Sequence, residues 1–505
     1  MLLELKGEGP LYTRVYATLR QRIVDGRLKA GERLPGTRSM AKALGVSRTV
    51  VLLAYSQLES EGYTVTRVGS GTYVTEARVL NDTPAATNDS TDLSAHEVPP
   101  PALPEAPLSK LARRMPAAAS GDRPLDLLDD DVGVVDFTGA TTSYDAQGLK
   151  TWRRSLSRAL AQMPSELPGP AGVSALREAM LEYLARERGV VAQVEDLVIV
   201  NSVQQARDLV ARVLVDENTT VGVEDPCDPG IRRAFALAGG RVEACPVDAD
   251  GLDVAAVPGH VGVVHVAPAC HIPGGATLSA QRRAALLAWA GRQPGWIVEE
   301  DFDGDQRHGV RVSSALQGAD RAGRVIYYMN NLGGAVYPSL PMSCLVVPRS
   351  LREKFHALKG LSDQDEGVIR QHAWALHVAA GEHARSLRRL SQHLQNKHAA
   401  LVDALRRHLG ASIRCEGAPA TGHLLLHLPA LQASWMTVLR EEALRTGLLL
   451  QSADDWYAGN NPHVVLMLRY AAVPDHLMDV AARRLAYARR VAWHDVNRAG
   501  TTRSA

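Results

Sequence analysis

Short, largely apolar runs recur between amphipathic stretches in the middle of this chain: Leu197–Val200, Thr220–Glu224, Arg241–Pro246, Gly262–Ala267 and Trp296–Glu299. They are too short for helices and read as strands. Between them, Val203–Leu214 and Ala280–Ala290 carry helical periodicity. Strands that alternate with helices pack as a mostly parallel sheet with helices on both sides. The region is thereby confined to an α/β architecture, whose chemistry gathers at the strand ends.

A strand–loop–strand unit follows at Val325–Pro348. Val325–Tyr328 and Cys344–Val347 are apolar, and the loop between them opens Met329-Asn330-Asn331-Leu332-Gly333-Gly334. Upstream, Leu149–Leu160 and Val173–Glu187 read as helices. From about Ser350 the pattern changes to a long polar helix (Arg385–Leu409), strands at His423–His427 and Val464–Tyr470, and a closing helix at His476–Val491. That is a smaller α+β portion. Cys344 and Cys415 lie in or beside apolar runs and read as core, and Arg385–Arg389 as a solvated helix face.

The N-terminal stretch has its own logic. Val15, Leu19 and Ile23 form an i, i+4 stripe on a helix over Leu11–Asp25, which Gly26 ends. A loop, Gly31–Arg38, leads to a short helix at Ser39–Leu44; Gly45-Val46 turns, and Ser47 caps a helix over Arg48–Glu61. Val50, Leu53, Ala54 and Leu58 are its expected inward face. Thr64–Arg67 and Thr72–Val74 are strands around Gly69-Ser70-Gly71, the wing of a winged helix. In a helix-turn-helix the capped helix enters the major groove. Ser47, Arg48 and Thr49 then reach bases or phosphates, and Arg38 a phosphate or a guanine. Arg67, Gly69, Ser70, Gly71 and Thr72 approach the sugar-phosphate backbone.

At 505 residues the chain holds two or more domains. Its 56 basic and 55 acidic residues leave a formal net charge of +1, so affinity for nucleic acid must come from a local patch. The five cysteines, 227, 245, 270, 344 and 415, are odd in number and lack CxxC spacing, which fits a reducing cytoplasm rather than a disulfide framework. The N-terminus has no apolar run of signal-peptide or membrane-spanning length, so no membrane partner is expected. Residues 77–125, rich in Pro, Ala, Ser and Asp, read as a flexible linker, with Leu108–Met115 as a short helix. It separates residues 1–76 from 126–505.

LPGTRSMAKALGVSRTVVLLAYSQLESEGY…GSGTYV resembles the DNA-binding domain of the GntR family over residues 10–76, with Arg38, Arg48 and Gly71 at its DNA-contact positions. The rest resembles the effector domain of that family's MocR subfamily, a fold-type I aminotransferase-like domain. Pieces that match are Leu176-Arg177, Gln204-Gln205-Ala206, Glu224-Asp225-Pro226, Pro229-Gly230, Arg282-Arg283 and Leu316-Gln317-Gly318. The resemblance implies a sequence-specific transcriptional regulator, a double-stranded DNA operator as partner, and a head-to-tail homodimer.

In that subfamily the Val325–Pro348 loop carries a lysine that forms a Schiff base with pyridoxal phosphate (PLP). Here the equivalent is Gly333 or Gly334, and neither can make an imine. The phosphate loop reads Asn201-Ser202-Val203, keeping a hydroxyl. Asp228, behind Cys227, replaces the ring-stacking tyrosine. The family's Thr-Pro-Ser-His-Gln stretch is Ala267-Pro268-Ala269-Cys270-His271. Glu300 holds the position of the acid for the pyridine nitrogen, but Phe302 lacks the phenol of the usual tyrosine. Pro341 replaces an arginine, and Met467 the substrate-carboxylate arginine, with Arg469 two residues on along the same strand face. Covalent PLP is therefore not expected.

Three occupants of the vacated site stay open. One is a different effector lined by Ser202, Cys227, Asp228, Cys270, His271, Glu300, Phe302, Asn330 and Asn331. Another is a metal on Cys227, Asp228, Cys270 and His271; no metal is the expectation. The last is none, the domain serving dimerisation alone. The rival from another class is a PLP-dependent enzyme with an appended DNA-binding head, which needs the missing lysine. Asp301-Phe302-Asp303-Gly304-Asp305 has the start of a calcium-loop spacing but not its continuation, and solvated loop carboxylates are expected there.

Overall fold

A computed structural model of the chain describes residues 10–67, 70–75, 108–115, 133–139, 145–162, 168–292, 294–302, 314–330, 332, 336, 340–363 and 367–502. The linker apart from Leu108–Met115, Gly69, Asn331, Gly333, Gly334, Asp303 and Asp305 lie outside the described residues. The chain divides into two compact units, Met1–Glu105 and Ala106–Ala505.

In the first unit, helices α1 (Leu11–Val24), α2 (Thr37–Leu44) and α3 (Arg48–Ser60) precede strands β1 (Thr64–Arg67) and β2 (Gly71–Val74). Gly45 takes a left-handed conformation (φ 65°) that ends α2, and the Ser47 side chain accepts from the Val50 N–H at 3.3 Å to start α3. The wing pairs antiparallel with Thr64 opposite Val74. Gly31–Leu34, expected as a loop, adds a third edge to it: Leu34 N donates to Thr72 O at 2.8 Å and Val74 N to Glu32 O at 2.9 Å. The core joins Val15, Leu19 and Ile23 to Val51, Ala54, Tyr55, Leu58 and Val74. The inward face of α3 is therefore phased differently from the expectation. Leu53 is 51% exposed, and Val51 and Tyr55 are buried in its place. In Val50–Tyr55 almost every residue is apolar, so composition gives the helix no phase.

The second unit opens with α4 (Lys110–Arg114), β3 (Val135–Asp136), α5 (Ala146–Ala161) and α6 (Ser174–Arg188). Next come β4 (Leu197–Val200), α7 (Val203–Leu214), β5 (Thr220–Asp225), α8 (Pro229–Ala238), β6 (Arg241–Asp248), β7 (Gly251–Leu252), β8 (Val263–Val266), α9 (Ala280–Arg292), β9 (Trp296–Asp301), β10 (Val325–Met329) and β11 (Ser343–Val346). After α10 (Arg352–Ser362), α11 (Val368–Ala379) and α12 (Glu382–Leu409) the chain forms β12 (Arg414–Glu416), β13 (His423–Gln432), α13 (Met436–Arg445), β14 (Leu448–Leu449), β15 (Gln451–Ser452), β16 (His463–Arg469) and α14 (Met478–Thr502).

Eight strands make one sheet in the order β4-β11-β10-β9-β8-β5-β6-β7. Its centre, β10-β9-β8-β5-β6, is parallel, whereas β11 runs antiparallel to both β10 and β4. The antiparallel β12-β13-β16-β15 sheet belongs to the smaller portion. β3 pairs parallel with β14 and so ties the start of the unit to that portion. β4, β8 and β10 are buried along their whole length. The fold is the expected α/β class, a large mixed sheet with a smaller α+β part.

Candidate nucleic-acid interface and effector site

In the N-terminal unit Arg38, Ser47, Arg48, Thr49, Arg67 and Ser70 are exposed, and Gly71 and Thr72 are half-buried. Arg48 starts α3 and its Nε lies 3.4 Å from the Thr37 hydroxyl. That contact joins the starts of α2 and α3 on the outer surface. In the wing the Arg67 guanidinium stacks over Tyr73 at 5.2 Å, and the Tyr73 and Ser70 hydroxyls are 2.6 Å apart. Gly71 has φ +118°, and a Cβ there would lie 2.8 Å from Arg33 Nε. The positive φ therefore favours glycine, and any larger residue would also have to push the exposed Arg33 side chain aside. Arg33, absent from the sequence reasoning, crosses the wing at that point.

In the second unit the strand ends converge on Glu300. It sits on β9, 1% exposed, and meets a cation that the sequence reading missed. Arg207, on the second turn of α7, donates from Nη2 to both Glu300 oxygens at 2.9 and 3.3 Å. Its Nη1 donates to Asp228 at 2.7 Å. The Tyr328 hydroxyl donates to Glu300 at 2.8 Å, and Asn330 Nδ2 at 2.5 Å. A carboxylate offers about four lone-pair sites, so Glu300 is fully subscribed by groups of its own chain. Because Tyr328 donates to Glu300, its oxygen accepts from Arg207 Nε at 3.3 Å and from His265 Nε2 at 2.7 Å.

Electrostatics agree with the geometry. Burial opposes the charge on Arg207, but Glu300, Tyr328 and Asp228 outweigh it and hold the guanidinium firmly protonated. Asp228 stays below the usual carboxylate range because Arg207 more than offsets its burial. His265 is pushed down to about 4 by burial, so it is neutral. Burial and the adjacent Glu300 raise Tyr328.

The other expected residues separate into those near this cluster and those committed elsewhere. Ser202 caps α7, accepting from Gln205 N at 3.2 Å. Asp228 also caps α8, accepting from Gly230 N at 2.8 Å. Arg469 donates to Thr138 O at 2.9 Å; burial lowers its pKa and Asp228 raises it, which puts the two charges within electrostatic reach. Phe302 meets His423 edge-on at 5.8 Å and packs beside buried Met467. His271 Nε2 accompanies Pro226 O at 2.8 Å while its Nδ1 is buried without a partner. Cys227 and Cys270 are buried, and burial raises Cys227 to about 12, so it is a neutral thiol. Among the described residues no group of three or more His, Cys, Asp or Glu is arranged to hold a metal ion. Asp301 contradicts the expectation of a solvated carboxylate. It is the last residue of β9, 5% exposed, bound by Arg188 at 2.7 and 3.1 Å and by the Tyr327 hydroxyl at 2.6 Å.

Comparison with known proteins fits both units. Residues 11–74 match the model described as bacterial regulatory proteins, gntR family. The probable rhizopine catabolism regulatory protein MocR of Rhizobium meliloti is 33% identical over 414 residues, 81% of this chain and 80% of that protein. The pyridoxine biosynthesis transcriptional regulator PdxR of Corynebacterium glutamicum is 28% identical, covering 78% of each. Among solved structures, kynurenine aminotransferase of Pyrococcus horikoshii superposes with a TM-score of 0.67 at 21% identity, over 75% of this chain and 96% of that one. A multiple-substrate aminotransferase of Thermococcus profundus gives 0.68 at 19% identity, over 77% and 98%.

Proposed function

The chain belongs to the MocR-type regulators of the GntR family, helix-turn-helix transcriptional regulators with an aminotransferase-like domain, and from that premise we propose that this member regulates without PLP. The observation that carries the reading is the Arg207–Glu300 contact. An acid that serves a pyridine nitrogen must turn a free oxygen towards it. Here both oxygens are taken by Arg207, Tyr328 and Asn330. A bound pyridinium would have to displace a buried guanidinium from Glu300 and leave it with Asp228 alone, a cost bounded above by the roughly 3–5 kcal/mol of a buried pair that loses one partner. The loop sequence Met329–Gly334 supplies no lysine, and Phe302 no phenol. The residues present do not fit the cofactor, and the domain is a degenerate member that performs no transamination.

In this reading the N-terminal unit binds a double-stranded operator in the cytoplasm, and the aminotransferase-like domain holds two chains together, head to tail, so that two heads read two half-sites. Asp228 and Arg469 keep partial exposure beside the closed Glu300 cluster. They support a polar effector other than PLP over a ligand-free scaffold.

The test is the absorbance of purified protein titrated with PLP, followed by borohydride reduction and mass measurement. No cofactor absorbance band and no mass increase are expected. A stable adduct would restore the PLP-dependent reading and show that another lysine reaches the site. A mobility-shift assay on the upstream region of its own gene tests the DNA-binding half independently.

A further inference from the structure

The closing helix α14 lines a cleft that the functions above do not use. It has a volume of about 660 Å³ and opens between α14, the end of α12 and the end of β13. Its lining brings together three guanidinium groups, Arg483, Arg489 and Arg490, with the rings of His408, Tyr487 and Trp493. The two rings are 48% and 44% exposed, unusual for side chains of this size. Trp493 is braced edge-to-face against Trp435 at 5.3 Å, so its ring is held in place.

The charges around the cleft do not balance. Asp479 is shared by Arg407, His408 and Arg483, at 2.8, 2.9 and 3.1 Å, and Asp403 meets Arg407 at 3.0 Å, which leaves two carboxylates against the guanidinium groups of Arg407, Arg483, Arg489 and Arg490. Arg489 donates to the Leu409 carbonyl at 3.1 Å. Arg490 lies over Tyr487 at 5.9 Å and makes no ion pair among the described residues. A guanidinium over an exposed ring, beside a second exposed ring, offers stacking and a positive charge together.

We propose that this cleft is a second ligand site, specific for a small organic anion with a planar ring. The ring stacks on Tyr487 and Trp493 and the anionic group meets Arg490, with Arg483 and Arg489 adding field. A small ligand fits better than a macromolecule because the site is concave and its volume falls in the range of roughly 300–1,000 Å³ typical of small-molecule pockets. None of its lining residues belongs to the Arg207–Glu300 cluster, so it stands whether or not the PLP-independent reading holds.

The test uses the full-length protein and calorimetric titration with naphthalene-2-sulfonate, with neutral naphthalene-2-methanol as comparison. Saturable binding of one sulfonate per chain is expected, at least about ten-fold tighter than the neutral analogue. Arg490→Ala and Tyr487→Ala should each weaken it about five-fold, and Arg388→Ala, on an exposed part of α12, should leave it unchanged. Thermal unfolding of each variant identifies any that fails to fold, and Arg490→Gln then serves as the milder replacement. Absence of saturable binding, equal binding of both analogues, or full binding by the Arg490→Ala/Tyr487→Ala double variant would overturn the proposal.

Discussion

Arg207 on α7 and Glu300 on β9 form a buried ion pair at 2.9 Å, their side chains 4% and 1% exposed. It spans the sheet-to-helix layer at the strand end where an α/β fold places its chemistry. Removing Arg207 leaves Glu300 buried without its cation, with only the neutral donors Tyr328 and Asn330. Arg207→Met should therefore destabilise the domain by about 3–5 kcal/mol, read from denaturant unfolding. Adding Glu300→Gln should recover most of that loss, because the remaining Tyr328 and Asn330 contacts no longer surround a charge. A single-variant loss below about 1 kcal/mol would mean that Glu300 finds another cation or takes up a proton at little cost.

The sequence contained a signal for Arg207 that the reading passed over. Val203, Ala206, Arg207, Val210 and Leu214 follow the apolar i, i+3, i+4, i+7 spacing of α7, and an arginine on that stripe must be paired in the interior. Asp301 differs from expectation for the opposite reason: its acidic neighbours suggest a loop, while pairing of Glu300 to Tyr328 and of Asp301 to Met329 carries β9 two residues further. The alternating strands, the Ser47 cap and the glycine turn at Gly45 were legible because each rests on local chemistry. The β3–β14 pairing was not, since two-residue strands carry no periodicity and their partner is more than three hundred residues away.

Arg48 stands at the start of the helix that the winged-helix geometry delivers to the major groove. Arg48→Ala should weaken specific DNA binding by about 1–3 kcal/mol if it reads a base. Fluorescence anisotropy on operator and random duplexes separates the cases. Equal losses on both would assign Arg48 to a phosphate, and the salt slope would then fall by about one.

Gly71→Ala tests the wing. The left-handed φ and the 2.8 Å approach to Arg33 Nε make the methyl doubly unwelcome. About 1–3 kcal/mol of local strain is expected, seen as weaker DNA binding on all sequences with an unchanged second unit. Normal affinity would show that Arg33 swings away and that the glycine is dispensable.

Five buried histidines make the protein acid-sensitive. Burial pushes His265, His271, His377 and His423 down to about 4 and His383 to about 3. Glu382 and Asp145 partly support a charge on His377, whereas Arg385 and Arg389 oppose it. A depressed histidine pKa means that its contribution is present above the unfolded value of 6.5 and is lost as pH falls through the folded value. Each site is worth on the order of 3 kcal/mol once fully titrated. The histidine part of the stability should be level above pH 6.5 and fall steeply towards pH 4, read as the difference in melting temperature between the wild type and a histidine variant across that range. His383→Phe, packed on Tyr183 and Trp374 with neither ring nitrogen of the native histidine bonded, should flatten the curve. An unchanged slope would place the titrating groups elsewhere.

Glu224 works in the other direction. It is fully buried on β5, accepts from Ala267 N at 2.9 Å, and burial pushes its pKa up to about 8. A raised folded pKa gives a contribution that is complete below the unfolded value, about 4.5, and is lost as pH rises through the folded one. Between those limits the unfolded chain releases a proton that the folded chain keeps. Glu224→Gln keeps an amide oxygen for Ala267 N without the proton linkage. It should match the wild type near pH 5 and exceed it by about 2–4 kcal/mol at pH 8, measured by denaturant unfolding at the two pH values. Equal stabilities at both would mean that Glu224 ionises normally in the folded protein, with a second donor or water satisfying its charge.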